Sequence, residues 1–321
     1  MIIQISRMVS GATMTAIVIV AAMVFTGAGC TRTPDHLIGP RSSQVTADPH
    51  DTHAQSSAPD DYARMRNLTI QATKLADSKK AVPMADLAKQ LNRTKCKLSL
   101  PARLTRRLAR PEIYSRNVSS VLIVAGLHKC NKCVKWHASP ASGFALTSTG
   151  AIATNYHLFE NKEKKALVAM THDGKTYGVK EVLAASRSDD IVILQLDMGG
   201  AKLKPLPLAP DTPIGTEVTA ISHPQHRFYS LTEGVISRYS KRRTKRGRTN
   251  MVAITADFAK GSSGGPIFDD RGNVAAMVAS TSSVYYTQTK NTQKNLQMVF
   301  KQCVPTANIL KLITNAPTGR R

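Results

Sequence analysis

The chain is short of aromatic and of acidic side chains. Aromatics make up 5% of its 321 residues, with one tryptophan, so a sizeable core has to be filled by aliphatics, as in many β-sheet proteins. Asp and Glu number 21 against 44 Lys and Arg, a net charge of +23, which draws anions rather than cations. Basic residues are densest in KRRTKRGR, residues 241–248, with six in eight positions. No aromatic motif for base stacking accompanies them, which argues against a nucleic-acid partner. An exposed loop touching anionic lipid headgroups or acidic polymers, or a merely solvated loop, is what remains. Long apolar runs are missing too, apart from Ala12 to Phe25.

That single run belongs to a leader. MIIQISR carries the lone Arg7, the apolar stretch follows, and Gly27-Ala28-Gly29-Cys30 closes it. Small residues before a cysteine resemble a bacterial lipobox, so residues 1–29 are expected to be a signal peptide of the lipoprotein type and Cys30 the lipidated residue. An uncleaved membrane helix is the alternative; both place the body of the protein in the cell envelope, on the periplasmic or extracellular side. Residues 30–60 are rich in Pro, Ser, Asp and His without an apolar period, the composition of a disordered tether. Apolar residues three or four apart in YARMRNLTIQATKLADSKK and MADLAKQLNR then predict short helices, giving a helical extension over residues 61–114.

From Val118 the pattern changes to short β-rich runs, among them VSSVLIVAG, DIVILQL, EVTAISH and NVAAMVAS. Thr149-Gly150, Asp173-Gly174 and Arg271-Gly272 sit where hairpins reverse. The spacing predicts an all-β architecture of two consecutive barrels, residues 115–200 and 201–285, with the seam near Asp197 to Pro213. Residues 286–321 supply a closing strand, a helix beginning at Pro305 and a tail.

AKGSSGGPIFDD, residues 259–270, is either a flexible loop or the setting of a nucleophile. A serine hydroxyl needs a base to take its proton and a third group to orient that base. His157, in TNYHLFE, is the candidate base; Asp190, at the head of DIVILQL, is the candidate acid; Ser263 is the candidate nucleophile. His, Asp, Ser is one of the known chain orders for this constellation.

With SGFALTSTGAIATNYH, SDDIVILQL, TEGVISRY and TADFAKGSSGGPIFDDRGNVAAMV in this order, the chain resembles the trypsin-like serine peptidases of the bacterial HtrA-related group over roughly residues 115–285. The resemblance implies two six-stranded antiparallel barrels of the chymotrypsin type and acyl-enzyme chemistry without a metal or organic cofactor. It makes Ser263 the nucleophile, His157 the base and Asp190 the orienting acid, with the adjacent Asp189 as rival. It places the oxyanion hole at the N–H groups of Gly261 and Ser263 and leaves Gly264 and Gly265 as room for substrate backbone. Ser262 stands where digestive trypsins have the Asp that pairs with a newly cut N-terminus, so that activation switch is not expected. Asp257, six residues before Ser263, is the candidate for a basic-specificity pocket, against an ordinary strand-end role. The 36 residues after Tyr285 are too few for the PDZ domains common in the group. Protein or peptide substrates and a homo-oligomer are implied as partners. The rival class is a catalytically silent binding or structural protein of the envelope on the same fold.

Besides Cys30 the cysteines are Cys96, Cys130, Cys133 and Cys303. An even count in an exported chain favours disulfides. Cys130 and Cys133 in HKCNKCVKWH are also spaced for structural zinc, with Cys96, Cys303, His128 or His137 as further ligands. Redox use of the CxxC lacks the expected βαβ surroundings.

Overall fold

An N-terminal extension is folded onto the barrels by capping and by hydrogen bonds to loop carbonyls. The computed structural model describes residues 59–314 apart from 131, 132, 134, 162, 245 and 246, all within the compact unit Ala58–Arg321. The expected leader, the lipidated Cys30 and most of the tether lie outside the described residues. Helix α1 (Asp61–Asp77) starts where the Asp60 carboxylate accepts from the Ala63 N–H at 2.8 Å, satisfying one of the donors every helix start leaves free. Its apolar positions Leu68 and Ala72 are four apart and fully buried. Gln71 fixes its register: its side chain donates to Gly174 O at 2.7 Å and accepts from Thr176 N at 3.0 Å. Helix α2 (Met84–Ala88), strand β1 (Cys96–Lys97) and helix α3 (Arg110–Asn117) follow. Helix α3 has little apolar periodicity in RPEIYSRN and is fixed by burial of Ile113 and Asn117.

The first barrel closes through β2 (Val121–Lys129), β3 (Trp136–Ala145), β4 (Ala151–Thr154), β5 (Ala166–Met170), β6 (Thr176–Ser186) and β7 (Ile191–Leu196), in spatial order β2-β3-β4-β7-β6-β5. Leu122, Val124, Ile152, Leu167, Val192 and Leu194 form one buried cluster. Val121, Ile123, Ala125 and Leu127 belong to a second cluster that takes in Leu68 and Ala72 of α1. Strand β2 is thus buried on both faces, which explains why VLIVAGL shows no alternation.

The connection 197–216 leads to the second barrel: β8 (Glu217–Ser222), β9 (Ser230–Thr244), β10 (Gly247–Ile254), β11 (Pro266–Phe268), β12 (Val274–Gln288) and β13 (Gln293–Pro305), closed in the order β10-β13-β12-β11-β8-β9. Helix α4 (Thr306–Leu310) follows Pro305, and β14 (Ile313–Thr314) pairs in parallel with β1. The fold is the expected double barrel. Two boundaries differ from the sequence reading. The sixth strand of the second barrel lies at 293–305, beyond residue 285, because β12 and β13 form one long hairpin whose base closes the barrel onto β10. The described part of the basic segment, 241–244 and 247–248, is strand rather than loop: β9 and β10 stay paired from Ile236 and Ile254 outward to Thr244 and Gly247. The expected turns Gly150, Gly174 and Gly272 all have positive φ, between 82° and 101°, the region glycine enters without steric cost.

Candidate active site

His157 lies in the turn after β4 and Asp190 in the turn before β7; these two strands are neighbours in the first barrel. Asp190 adopts a left-handed φ of 59°, tolerable for Asp, and its carbonyl accepts from Asn155 Nδ2 at 3.0 Å and Tyr156 N at 3.2 Å. This aims the carboxylate at the histidine. Oδ1 accepts from the His157 backbone N–H and Oδ2 faces His157 Nδ1, both at 2.8 Å. A carboxylate can only accept here, so Nδ1 carries the proton and Nε2 presents its lone pair. The Asp190 side chain is 10% exposed against 32% for His157, so the acid is sheltered and the base accessible.

Asp189 is turned elsewhere. It accepts from Ser186 Oγ at 2.8 Å, from Thr249 Oγ1 at 2.7 Å and from Asn308 Nδ2 at 3.2 Å. It therefore ties the first barrel to β10 and α4, with partners that sequence reasoning did not anticipate.

Ser263 sits in the loop between β10 and β11, and the barrel that carries His157 holds this loop. Ser142 N, on β3, donates to Ser263 O at 2.7 Å, and Ser142 Oγ donates to Gly261 O at 3.0 Å. Gly264 has φ 84°, and a Cβ there would lie 2.2 Å from Ser142 O and 2.4 Å from Thr154 Oγ1. This corrects the sequence reading of Gly264 as substrate space: it is glycine because the two barrels meet at its Cα. Gly265 is likewise crowded, by Ser222 Cβ at 2.9 Å. Ser262 is fully buried, accepting from Ser222 Oγ at 2.9 Å and, at 3.4 Å, from Ala259 N. A neutral hydroxyl pair inside the barrel thus braces the loop at this position.

Gly261 has φ 99°, and a Cβ on it would lie 2.4 Å from His223 O. The preceding carbonyl, Lys260 O, accepts from Gln225 N at 2.7 Å. In a planar trans peptide the N–H points opposite to the C=O, so this bond turns the Gly261 N–H away from the 223–229 loop. Among the described residues neither the Gly261 nor the Ser263 N–H has a hydrogen-bond partner. Two free donors, two residues apart on one turn, suit an incoming oxyanion.

The 223–229 loop was missed by sequence reasoning, although HPQHRFY is an unusual concentration of rings. Gln225, His226 and Tyr229 all have positive φ. His223, fully buried, holds the loop from within: Nε2 donates to Leu122 O at 3.1 Å and Nδ1 accepts from Tyr229 N at 3.0 Å. Helix α1 holds it from outside, where Asp61 Oδ1 accepts from Phe228 N at 3.1 Å and the Arg64 guanidinium lies 5.2 Å from the Tyr229 ring centroid. Burial pushes the His223 pKa down to about 3. Between its ordinary value of about 6.5 and about 3 the unfolded chain takes up a proton here that the folded chain does not. Stability present above pH 6.5 is therefore lost as the pH falls through that window, at about 1.4 kcal/mol per pH unit. Thermal melts between pH 7 and 5 should show a steeper loss for the wild type than for His223→Gln; equal slopes would overturn the assignment.

Asp257 is turned outward. Its side chain is 81% exposed and pairs with Lys301 Nζ at 2.9 Å, while the same ammonium donates to Phe258 O at 2.8 Å. A solvated, already neutralised carboxylate is no floor for a basic-specificity pocket, and that expectation is set aside. The four described cysteines carry no disulfide, contrary to the expected pairing. Burial raises the thiol pKa of Cys303, and that of Cys96 to about 11, so neither is poised as a thiolate. Cys130, Cys133 and His137 cluster at the turn end of the β2–β3 hairpin.

Comparison with known proteins places the chain among trypsin-like peptidases in sequence and fold. A family model described as "Trypsin-like peptidase domain" matches residues 141–277. "Protease Do-like 1, chloroplastic" of Arabidopsis thaliana is 29% identical over 189 residues, 55% of this chain and 42% of that protein. A "Probable periplasmic serine endoprotease DegP-like" of Halomonas elongata is 27% identical, covering 42% of this chain and 28% of the other. "Anti-sigma-I factor RsgI9" of Acetivibrio thermocellus is 31% identical over 53% of this chain but 23% of its own length. The chain thus spans less than half the length of these relatives. Among solved structures, an HtrA-type protease, AlgW, with tripeptide superposes with a TM-score of 0.51 at 17% identity, covering 64% of this chain and 62% of that one, a likeness of fold.

Proposed function

Residues 141–277 form a trypsin-like peptidase domain of the HtrA-related type, and from that premise we propose that the chain is an exported serine endopeptidase, anchored at Cys30, acting through Ser263, His157 and Asp190. The observation that carries the reading is the double grip of Asp190 on His157. It fixes the ring and its tautomer before substrate arrives, which is what a general base needs. Nε2 takes the Ser263 proton as Oγ attacks the scissile carbonyl, and the imidazolium is stabilised by Asp190. The oxyanion is met by the Gly261 and Ser263 N–H groups, already free of other bonds. Nε2 then protonates the leaving amine, and water activated by the same nitrogen releases the acyl group. Proteins or peptides are the substrates, as the names of the relatives indicate. Among the described residues no helix is long and apolar enough to cross a membrane, and the anchor assigned to Cys30 rests on the leader sequence.

The test is fluorophosphonate labelling of the full chain in membrane and soluble fractions, with the modified serine located by mass. Labelling is expected at Ser263, in the membrane fraction, moving to the soluble fraction in Cys30→Ser and vanishing in Ser263→Ala. A folded wild-type protein that takes no label would favour the silent binding protein instead.

A further inference from the structure

The β2–β3 hairpin ends in a group of donors that the peptidase reading does not use. Strand pairing runs outward to His128 opposite His137 and Lys129 opposite Trp136, and Cys130 and Cys133 lie in the connection just beyond. Cys130 Sγ is 3.2 Å from Cys133 Sγ, and Cys133 Sγ is 3.0 Å from His137 Nε2. All three donor atoms lie within 4.8 Å of one another. Ligands of a tetrahedral zinc ion, at about 2.3 Å for sulfur and 2.0–2.1 Å for nitrogen, stand about 3.3–3.8 Å apart. The side chains are thus gathered at close to the spacing an ion would impose. The His128 ring centroid is 5.7 Å from that of His137, which offers His128 as a donor for a fourth position.

We propose that Cys130, Cys133 and His137, with His128 completing the shell, bind one thiophilic divalent cation, zinc by chemistry. Two thiolates and imidazoles are soft or borderline donors that select zinc over calcium or magnesium. No carboxylate occurs in the sequence between Glu112 and Glu160 to supply hard oxygen ligands. Two thiolates also leave a zinc site neutral, in a stretch of chain that carries Lys129 and Lys135.

The role is structural. The ion closes the end of a hairpin whose last pair includes Trp136, and Trp136 Nε1 donates to Asp77 Oδ1 at 3.0 Å, at the C-terminal end of α1. Lys129 Nζ lies 4.9 Å from the Trp136 ring centroid, completing that contact. Metal binding therefore steadies the docking of α1 rather than the reacting atoms. The proposal is independent of Ser263 chemistry.

The full chain, purified under reducing conditions and dialysed against trace zinc, is assayed for metal content. It is then reloaded with cobalt(II) and its visible spectrum recorded. One equivalent of zinc per chain is expected, together with cobalt d–d bands and a thiolate charge-transfer band typical of a four-coordinate site. Cys133→Ser should lower metal content at least tenfold while its far-ultraviolet circular dichroism stays that of the wild type. His137→Cys should keep the ion and intensify the charge-transfer band, a result that a merely destabilised hairpin does not give. A wild type with both thiols reduced and no bound metal would overturn the proposal. So would a Cys130–Cys133 disulfide, two mass units lighter, that forms with zinc present.

Discussion

Asp190→Asn is expected to lower kcat for peptide hydrolysis by about four orders of magnitude, the scale for the equivalent change in such a triad, while Asp189→Asn is expected to leave kcat per folded molecule within a few fold. The reason is the direction of two hydrogen bonds. The His157 backbone N–H needs an acceptor and meets Oδ1 of Asp190. An asparagine keeps that bond only by placing its carbonyl oxygen there, so its NH₂ group faces His157 Nδ1. Nδ1 must then accept, the proton moves to Nε2, and the base is lost although the fold is intact. Among the described residues Asp189 accepts side-chain hydrogen bonds from Ser186, Thr249 and Asn308 instead. An amide there disturbs a bridge between the barrels and costs about 1–3 kcal/mol of stability. Active-site-titrated kcat values and thermal melts of the two variants separate these effects. A large kcat loss in Asp189→Asn with a mild one in Asp190→Asn would reverse the assignment.

Gly261→Ala is expected to lower kcat by about 10²–10³, the cost of one lost oxyanion donor, with little change in KM. At φ 99° an alanine is strained, and its methyl would press on His223 O from 2.4 Å. Relief requires rotating the Lys260–Gly261 peptide, which breaks the Gln225 N to Lys260 O bond and swings the Gly261 N–H out of position. Fluorophosphonate labelling of Ser263 should slow in parallel, and peptide boronate binding should weaken by a similar factor. A variant that turns over within threefold of wild type would show that the Gly261 N–H is not a donor in the reaction.

These two positions show what could be read in advance. The glycine turns at 150, 174 and 272 and the short β-rich runs between turn signals were legible, because a positive φ and a β-forming run depend on neighbours along the chain. The double-barrel fold followed. Boundaries that depend on distant pairing did not: nothing local in VYYTQ or LQMVF says that β12 and β13 form one hairpin closing onto β10, or that residues 241–244 pair with 247–250. Asp257 carried the right spacing for a pocket, yet its direction was set by Lys301, 44 residues away in sequence.

By itself, then, the sequence determined the architecture and the kinds of group available: two barrels, a glycine-rich loop around Ser263, His157 at the end of one β-rich run and the adjacent pair Asp189 and Asp190 at the head of another. Only the tertiary structure decided which carboxylate meets the histidine, because Asp189 and Asp190 differ by one backbone step and that step points them to opposite partners. It also decided what holds the turn at Gly261. That turn depends on Gln225, His223 and α1, which come from three separate stretches of chain, and hydrogen-bond direction between such stretches exists only once they have packed.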